Sequence, residues 1–355
     1  MKQYLTRKMR FYFVDRVAHL CLHLLSRCGF QTSQYIRQNA FLEPSMDLKI
    51  SIFRSIEMLR SCGWKGRPDF SFFRDNVSAN AIRSDVLNIV GSGMSLNRLT
   101  VAESALLNSS DIMTFNFSHL AKLKPKYALL QTPLERFKGF EDDDKKTWNQ
   151  ITDLTIESLT RNAERFDETH FFLRPTSTIF ARQRKGSIEK TIECTFGIDR
   201  ITKINIINIA TPYESSVSEL CERNYSSFLN NPDKLFTLKL GSTLPLAIVL
   251  GLQLGYKKIC LFGCDLLDSQ HFYNSEDHSN FYQGSHRYPS IWKQDSSSSI
   301  QAQLVDRSIR KTNQIDDVKE LSIWLKSKLG VEVRIINNDT AFAGHLDIAV
   351  DSEFY

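Results

Sequence analysis

The spacing of apolar residues changes near residue 80. Before it they recur at gaps of three and four, at Leu5, Met9, Phe13, Val17, Leu20 and Leu24, which lines one face of a helix. Residues 50–59 keep helical spacing, and the Gly- and Pro-containing stretch 62–68 breaks it. Beyond residue 80, short continuous apolar runs alternate with helical patterns. The runs predict strands at 86–90, 112–116, 127–131, 169–173, 204–209, 258–262 and 331–336, and the helical patterns fall at 97–108, 145–166, 213–229, 245–255 and 314–329. Runs that do not alternate suit strands covered on both faces, as in a parallel sheet. The series predicts an α/β fold, a doubly wound and mostly parallel Rossmann-like sheet with ligand at the carboxyl ends of its strands. The expected organisation is a basic helical N-terminal region over 1–80 and a nucleotide-binding domain over 81–355. A polar, aromatic-containing stretch at about 268–310 is too long for an ordinary connector, and reads as a functional lid or as disorder.

Composition narrows the class. Of 355 residues, 42% are hydrophobic and 24% charged, the balance of a globular protein. The net charge of +5 is a mild excess without a dense Lys/Arg run, so no nucleic-acid partner is expected. Seven cysteines, an odd number with no C-x-x-C pair, read as free thiols in a reducing cytoplasm, and no metal site is expected. The longest charge-free run, 240–256, holds three glycines and several polar residues and reads as a buried helix, not a membrane span. Residues 1–30 carry six basic side chains against Asp15 alone. That stripe fits peripheral contact with the inner face of the cytoplasmic membrane, or equally a surface helix packed on its own domain. No secretory signal is expected. A homo-oligomer is compatible with all of this.

The candidate chemistry sits at predicted strand ends. The first strand runs into Gly91-Ser92-Gly93-Met94-Ser95 and then a helical stretch. Backbone N–H groups beside a helix N-terminus suit a phosphate. The third glycine of a dinucleotide fingerprint is missing, since Leu96 stands there. The second strand ends at Asn116, where an NAD site would want an acid; an amide can still bond a sugar hydroxyl or a base edge. The third ends at Gln131. Ser242 or Thr243 can cap a helix that tolerates Pro245 in its first turn, and the strand after that helix ends at Gly263-Cys264-Asp265. Two such helix starts on one sheet edge could hold the two ends of a nucleotide. The acids at 141–144 include a D-x-D, but they precede a predicted helix and suit its positive end better than a metal.

Taken in order, Ile-Val-Gly-Ser-Gly-Met-Ser-Leu, Asp-Ile-Met-Thr-Phe-Asn, Gln-Thr-Pro and Ser-Thr-…-Leu-Gly-Tyr-Lys-Lys-Ile-…-Gly-Cys-Asp resemble bacterial sialyltransferases of glycosyltransferase family forty-two. They also resemble the relatives of that family among surface-polysaccharide and flagellin glycosylation proteins. The match covers roughly residues 85–275. The resemblance implies a GT-A-like variant of the Rossmann fold with a mobile lid, and a CMP-activated nonulosonic acid as donor substrate. It implies no metal or other cofactor, and a glycan or protein acceptor. It places the loop of Gly91, Ser92, Gly93 and Ser95 against the nucleotide phosphate and ribose. Asn116 and Gln131 stand at amide positions of the family. Thr243, with Ser242 before it, stands at the family's serine, followed by Asp265 at the next strand end, and Tyr273 at a tyrosine that binds the leaving phosphate. The sequence departs at Ser92, Met94 and Leu267, and the family's lid histidine has no clear counterpart. His271, His278 and His286 are the candidate bases, because transfer from a CMP-ketose needs a group to take the acceptor proton. A pterin pyrophosphokinase-like transferase and a non-catalytic polysaccharide-assembly protein are the alternative readings.

Overall fold

The computed structural model describes residues 84–132, 142–175, 188–203, 205–207, 216–218, 221–222, 236–238, 243–266, 314–336 and 340–349. The expected N-terminal region, the lid with His271, Tyr273, His278 and His286, Ser242, and the side chain of Gln131 lie outside the described residues. The described residues fall within one compact unit.

Eight strands form a sheet in which every pairing is parallel. They are β1 (Val86–Val90), β2 (Asp111–Phe115), β3 (Tyr127–Thr132), β4 (His170–Pro175), β5 (Ile201–Lys203), β8 (Lys258–Phe262), β9 (Glu332–Ile335) and β10 (Asp347–Ile348). The order is β10-β9-β8-β1-β2-β3-β4-β5. The chain starts at the centre with β1, winds outward to β5, then returns beside β1 as β8 and winds out the other way. That is a doubly wound sheet with its reversal of winding between β1 and β8. A separate pair, β6 (Asn205–Ile207) and β7 (Phe236–Leu238), is also parallel.

The five helices described are α1 (Val101–Ser109), α2 (Asp142–Arg161), α3 (Ile188–Phe196), α4 (Thr243–Gln253) and α5 (Gln314–Leu329). Strand side chains alternate between faces, so the register sorts them. Val86, Val90, Ile112, Cys260 and Phe262 pack with Leu107 of α1 and Leu154 of α2. Ala128, Leu130, Phe171 and Leu173 meet Leu159 of α2 and Ile188 and Ile192 of α3. On the opposite face, a Cβ at Gly251 of α4 would stand 2.7 Å from a Leu87 methyl and 3.3 Å from one of Ile259. Gly251 therefore lets α4 settle on the centre of the sheet, and α5 packs against α4 and β9. Burial on both faces explains why β1, β2 and β8 are mostly apolar with no alternation of polar and apolar positions. It also explains why α4 is apolar all round from Leu244 to Gly251.

The amino ends of the strands are locked by a buried polar cluster. Lys126 pairs with the fully buried Asp111 at 2.8 Å, the Tyr256 hydroxyl donates to the same carboxylate at 2.7 Å, and the Tyr127 hydroxyl lies 3.2 Å from that of Tyr256. Burial pushes both phenols up, Tyr127 to about 12, so both remain neutral donors.

The run at 204–209 does not form one strand of the main sheet. The edge strand is β5, which starts three residues earlier, with Ile201 opposite Phe171, while β6 pairs with β7. Ile-Thr-Lys carries one apolar residue, so its place was invisible to a search for apolar runs. Helix α3 went unread although Ile188, Ile192 and Phe196 recur every four residues. The first predicted helix splits into a 3-10 turn, Met94–Arg98, and α1. Thr100 and Glu103 form a reciprocal capping box that starts α1 afresh. Helix α2 opens at Asp142, so the D-x-D acids occupy its first turn, as the helix-end reading requires. No described helix is long and apolar enough to cross a membrane.

Candidate nucleotide site at the sheet edge

In a doubly wound sheet the crevice for ligands opens at the carboxyl ends where the winding reverses, because the loops there diverge to opposite faces. Here that point lies between Val90 of β1 and Phe262 of β8, which are register partners. The two loops leaving those strands are bonded together. Gly91 N donates to Phe262 O at 2.7 Å and Gly93 N to Gly263 O at 2.6 Å. Asp265 then receives Ser95 twice, from its amide at 2.7 Å and from its hydroxyl at 2.5 Å.

The glycines are required by this closeness. A Cβ on Gly91 would collide with the Gly263 carbonyl, and one on Gly93 with the Asp265 carboxylate. Gly263 itself has a φ of +58° and faces Leu96. Gly91, Gly93, Ser95 and Asp265 are thus brought together as the sequence suggested, but three amides expected to face a phosphate are donated within the chain. The Asp265 carboxylate occupies the anion position at the start of the 3-10 turn.

The second loop is held from its far side as well. Thr340 Oγ1 donates to Cys264 O at 2.9 Å, and Ala341 N donates to Asp265 O at 2.7 Å. Sequence reasoning missed Thr340, which lies 75 residues beyond Asp265 with no motif around it. Cys264 is buried at the junction, and its thiol lies 3.3 Å from Phe262 O. Burial and the Asp265 charge push that thiol well above its ordinary range, so it is a neutral packing group and not a nucleophile.

Asn116 stands at the carboxyl end of β2, next to β1. Two non-glycine residues of the described set have left-handed backbone, Asn116 at φ 52° and Leu266 at φ 53°. Asn116 directly follows β2, and Leu266 lies four residues past the end of β8, so both stand in loops that leave strands at the switch point. Strain of this kind collects where a loop is held for a ligand. Ser118 closes the neighbouring gap: its Oγ lies 2.6 Å from Val90 O and 2.8 Å from Phe115 O, and accepts from Phe115 N at 2.9 Å. His119, only 1% exposed, places Nδ1 2.8 Å from Asn116 O. Sequence reasoning also missed Ser118 and His119; their spacing of two and three residues after a strand-ending Asn was the available signal.

Thr243 is half-buried at the first turn of α4, and Gln131 lies within β3. Among the described residues no group of three His, Cys, Asp or Glu side chains is placed to hold a metal ion. Among the described residues the edge offers the Asn116 amide, hydroxyls and tightly joined backbone, which are means of binding and orienting a polar ligand.

No protein-family model matches the chain, and no curated protein matches it. Among solved structures it is similar to the monofunctional alpha-2,3-sialyltransferase Cst-I from Campylobacter jejuni, at 16% identity, over 76% of this chain and 82% of that one, with a TM-score of 0.38. It is also similar to the sialyltransferase CST-II, solved in complex with a trisaccharide acceptor and CMP, at 13% identity, over 75% of this chain and 86% of that one, with a TM-score of 0.36. Both of those proteins are sialyltransferases.

Proposed function

We propose that this chain is a glycosyltransferase of the sialyltransferase kind, moving a nonulosonic acid or the related ketose Kdo from a CMP-sugar to a surface glycan or a protein, without a metal. The observation that carries this reading is the meeting of three motifs at the one switch point of the sheet. The Gly91–Ser95 loop, Asn116 and the Gly263–Asp265 loop, read in a family-like order along the sequence, lie on neighbouring strands at one edge. A Rossmann-like edge alone would suit many nucleotides. Asn116 in place of an acid turns the choice away from NAD.

In this reading the joined loops form a rigid floor for the nucleotide, and Asn116 and Thr243 bond its polar groups. Departure of CMP from the ketose passes through an oxocarbenium-like state. The charge developing on the phosphate calls for a donor, for which Tyr273 is proposed, and the acceptor proton for a base, for which His271, His278 and His286 are the candidates. The enzyme would work in the cytoplasm, with residues 1–30 as the proposed seat on the inner membrane face.

The test is thermal unfolding of the whole protein with CMP, CDP, UDP, GDP, ATP and NAD, each with and without magnesium. A ligand that binds only the folded state raises the apparent melting temperature by mass action. A shift with CMP or CDP that survives EDTA is expected. A shift confined to ATP with magnesium would replace this reading with the pyrophosphokinase-like one. No shift with any nucleotide would favour an assembly protein without catalysis.

A further inference from the structure

We propose that His119 is the positioning residue for Asn116, fixing the backbone turn that sets where the Asn116 carboxamide stands at the nucleotide edge. This rests on the nucleotide reading above and names a residue that no motif of it contains.

Four observations carry the inference. First, continuing β2 in extended form would turn residue 116 onto the face of Ile112 and Thr114, which the helices cover. The left-handed φ of 52° breaks that alternation. Second, asparagine tolerates a left-handed backbone better than other side chains but does not take it by default, so a neighbouring bond decides whether the turn is held. Third, the restraint is visible: His119 Nδ1 lies 2.8 Å from Asn116 O. A carbonyl oxygen only accepts, so Nδ1 carries the proton and the ring is held in that tautomer. Fourth, the half-buried Asn116 carboxamide makes no hydrogen bond with any described residue, whereas Ser118 beside it is fully engaged.

His119 itself is no base for the reaction. It is 1% exposed, and its Nε2 is sealed from solvent without a protein partner. Burial holds it down to about 4, with the nearby Arg165 adding to the effect, so the ring is neutral at pH 7 and donates through Nδ1 alone. It acts through Asn116 and does not touch the ligand.

The experiment is a double-mutant cycle on the full chain. CMP binding is measured by calorimetry for the wild type, His119→Ala, His119→Asn, Asn116→Gly, and His119→Ala combined with Asn116→Gly. Unfolding is followed in parallel without ligand. His119→Ala is expected to loosen CMP roughly tenfold, the size of one well-aligned hydrogen bond. His119→Asn, whose amide can donate from about the place of Nδ1, is expected to restore most of that loss. In the Asn116→Gly background, which lacks the carboxamide and takes positive φ freely, His119→Ala is expected to leave CMP binding unchanged. Equal loosening in both backgrounds, or failure of the Asn variant to rescue, would overturn the positioning role. If the wild type binds no CMP, the nucleotide reading falls, and unfolding decides the rest. A smaller melting-temperature loss from His119→Ala in the glycine background supports the backbone restraint, and equal losses refute it.

Discussion

Single atoms decide the sheet edge. Gly91 and Gly93 read as a phosphate loop because glycine exposes backbone, but in the fold they serve by lacking a Cβ. The atoms that would be displaced are the Gly263 carbonyl and the Asp265 carboxylate, and a backbone carbonyl held in a sheet loop cannot swing aside. Gly91→Ala is therefore expected to destabilise the protein by about 1–3 kcal/mol, as overpacking does, and to separate the two loops. Urea unfolding checks it: an unchanged midpoint would show that the loops part without cost. Asp265 carries the matching lesson. Its place in the sequence suggested a ligand contact, and in the fold its carboxylate also ties the two loops together through Ser95.

Among the elements, helix α1 owes its start to its own side chains. Thr100 Oγ1 accepts from Glu103 N at 3.2 Å, and Thr100 N donates to the Glu103 carboxylate at 2.7 Å. Val101, at the first helical position, is 90% exposed, and Leu107 is the buried anchor. A helix of nine residues is marginal by itself and depends on its cap. Thr100→Ala is expected to cost about 1 kcal/mol, read as a lower denaturation midpoint with α1 amides exchanging faster. Uniform exchange across the chain would mean that the cap is not what holds α1. Helix α4 is the opposite case. Buried from Leu244 to Gly251, it is fixed by the sheet beneath it, and its period carries little information because every face is apolar. The sequence announced it through Pro245 at one end and Gly255 at the other, and both ends fall within about two residues of those marks.

For the whole molecule, two buried histidines tie stability to pH. His119 is held down to about 4 by burial, with Arg165 adding to it, and His170 to about 3 by burial, with Arg200 adding to it. Both take up protons near pH 6.5 once unfolded. Between pH 6.5 and these lower values the unfolded chain binds more protons, so stability rises with pH in that window. It is fully present above about 6.5 and is lost as pH falls toward 4 and then 3. His119→Asn should flatten the upper part of this slope, measured as unfolding free energy from pH 7 to 4; curves parallel to the wild type would show that His119 does not carry it.

The apolar runs by themselves determined the parallel α/β sheet, because strands covered on both faces are apolar along most of their length, and β1 and β8 were legible to the residue. The glycine and acidic stretches at 91–95 and 263–265 were legible as strand ends. Only the tertiary structure decided that those ends are neighbours, because strand order is set by crossovers between distant segments and leaves no local pattern. For the same reason only the fold revealed Thr340 behind Asp265 and His119 beneath Asn116. A polar side chain that bonds a backbone carbonyl is chosen by where that carbonyl points, and a carbonyl is the same group in every residue.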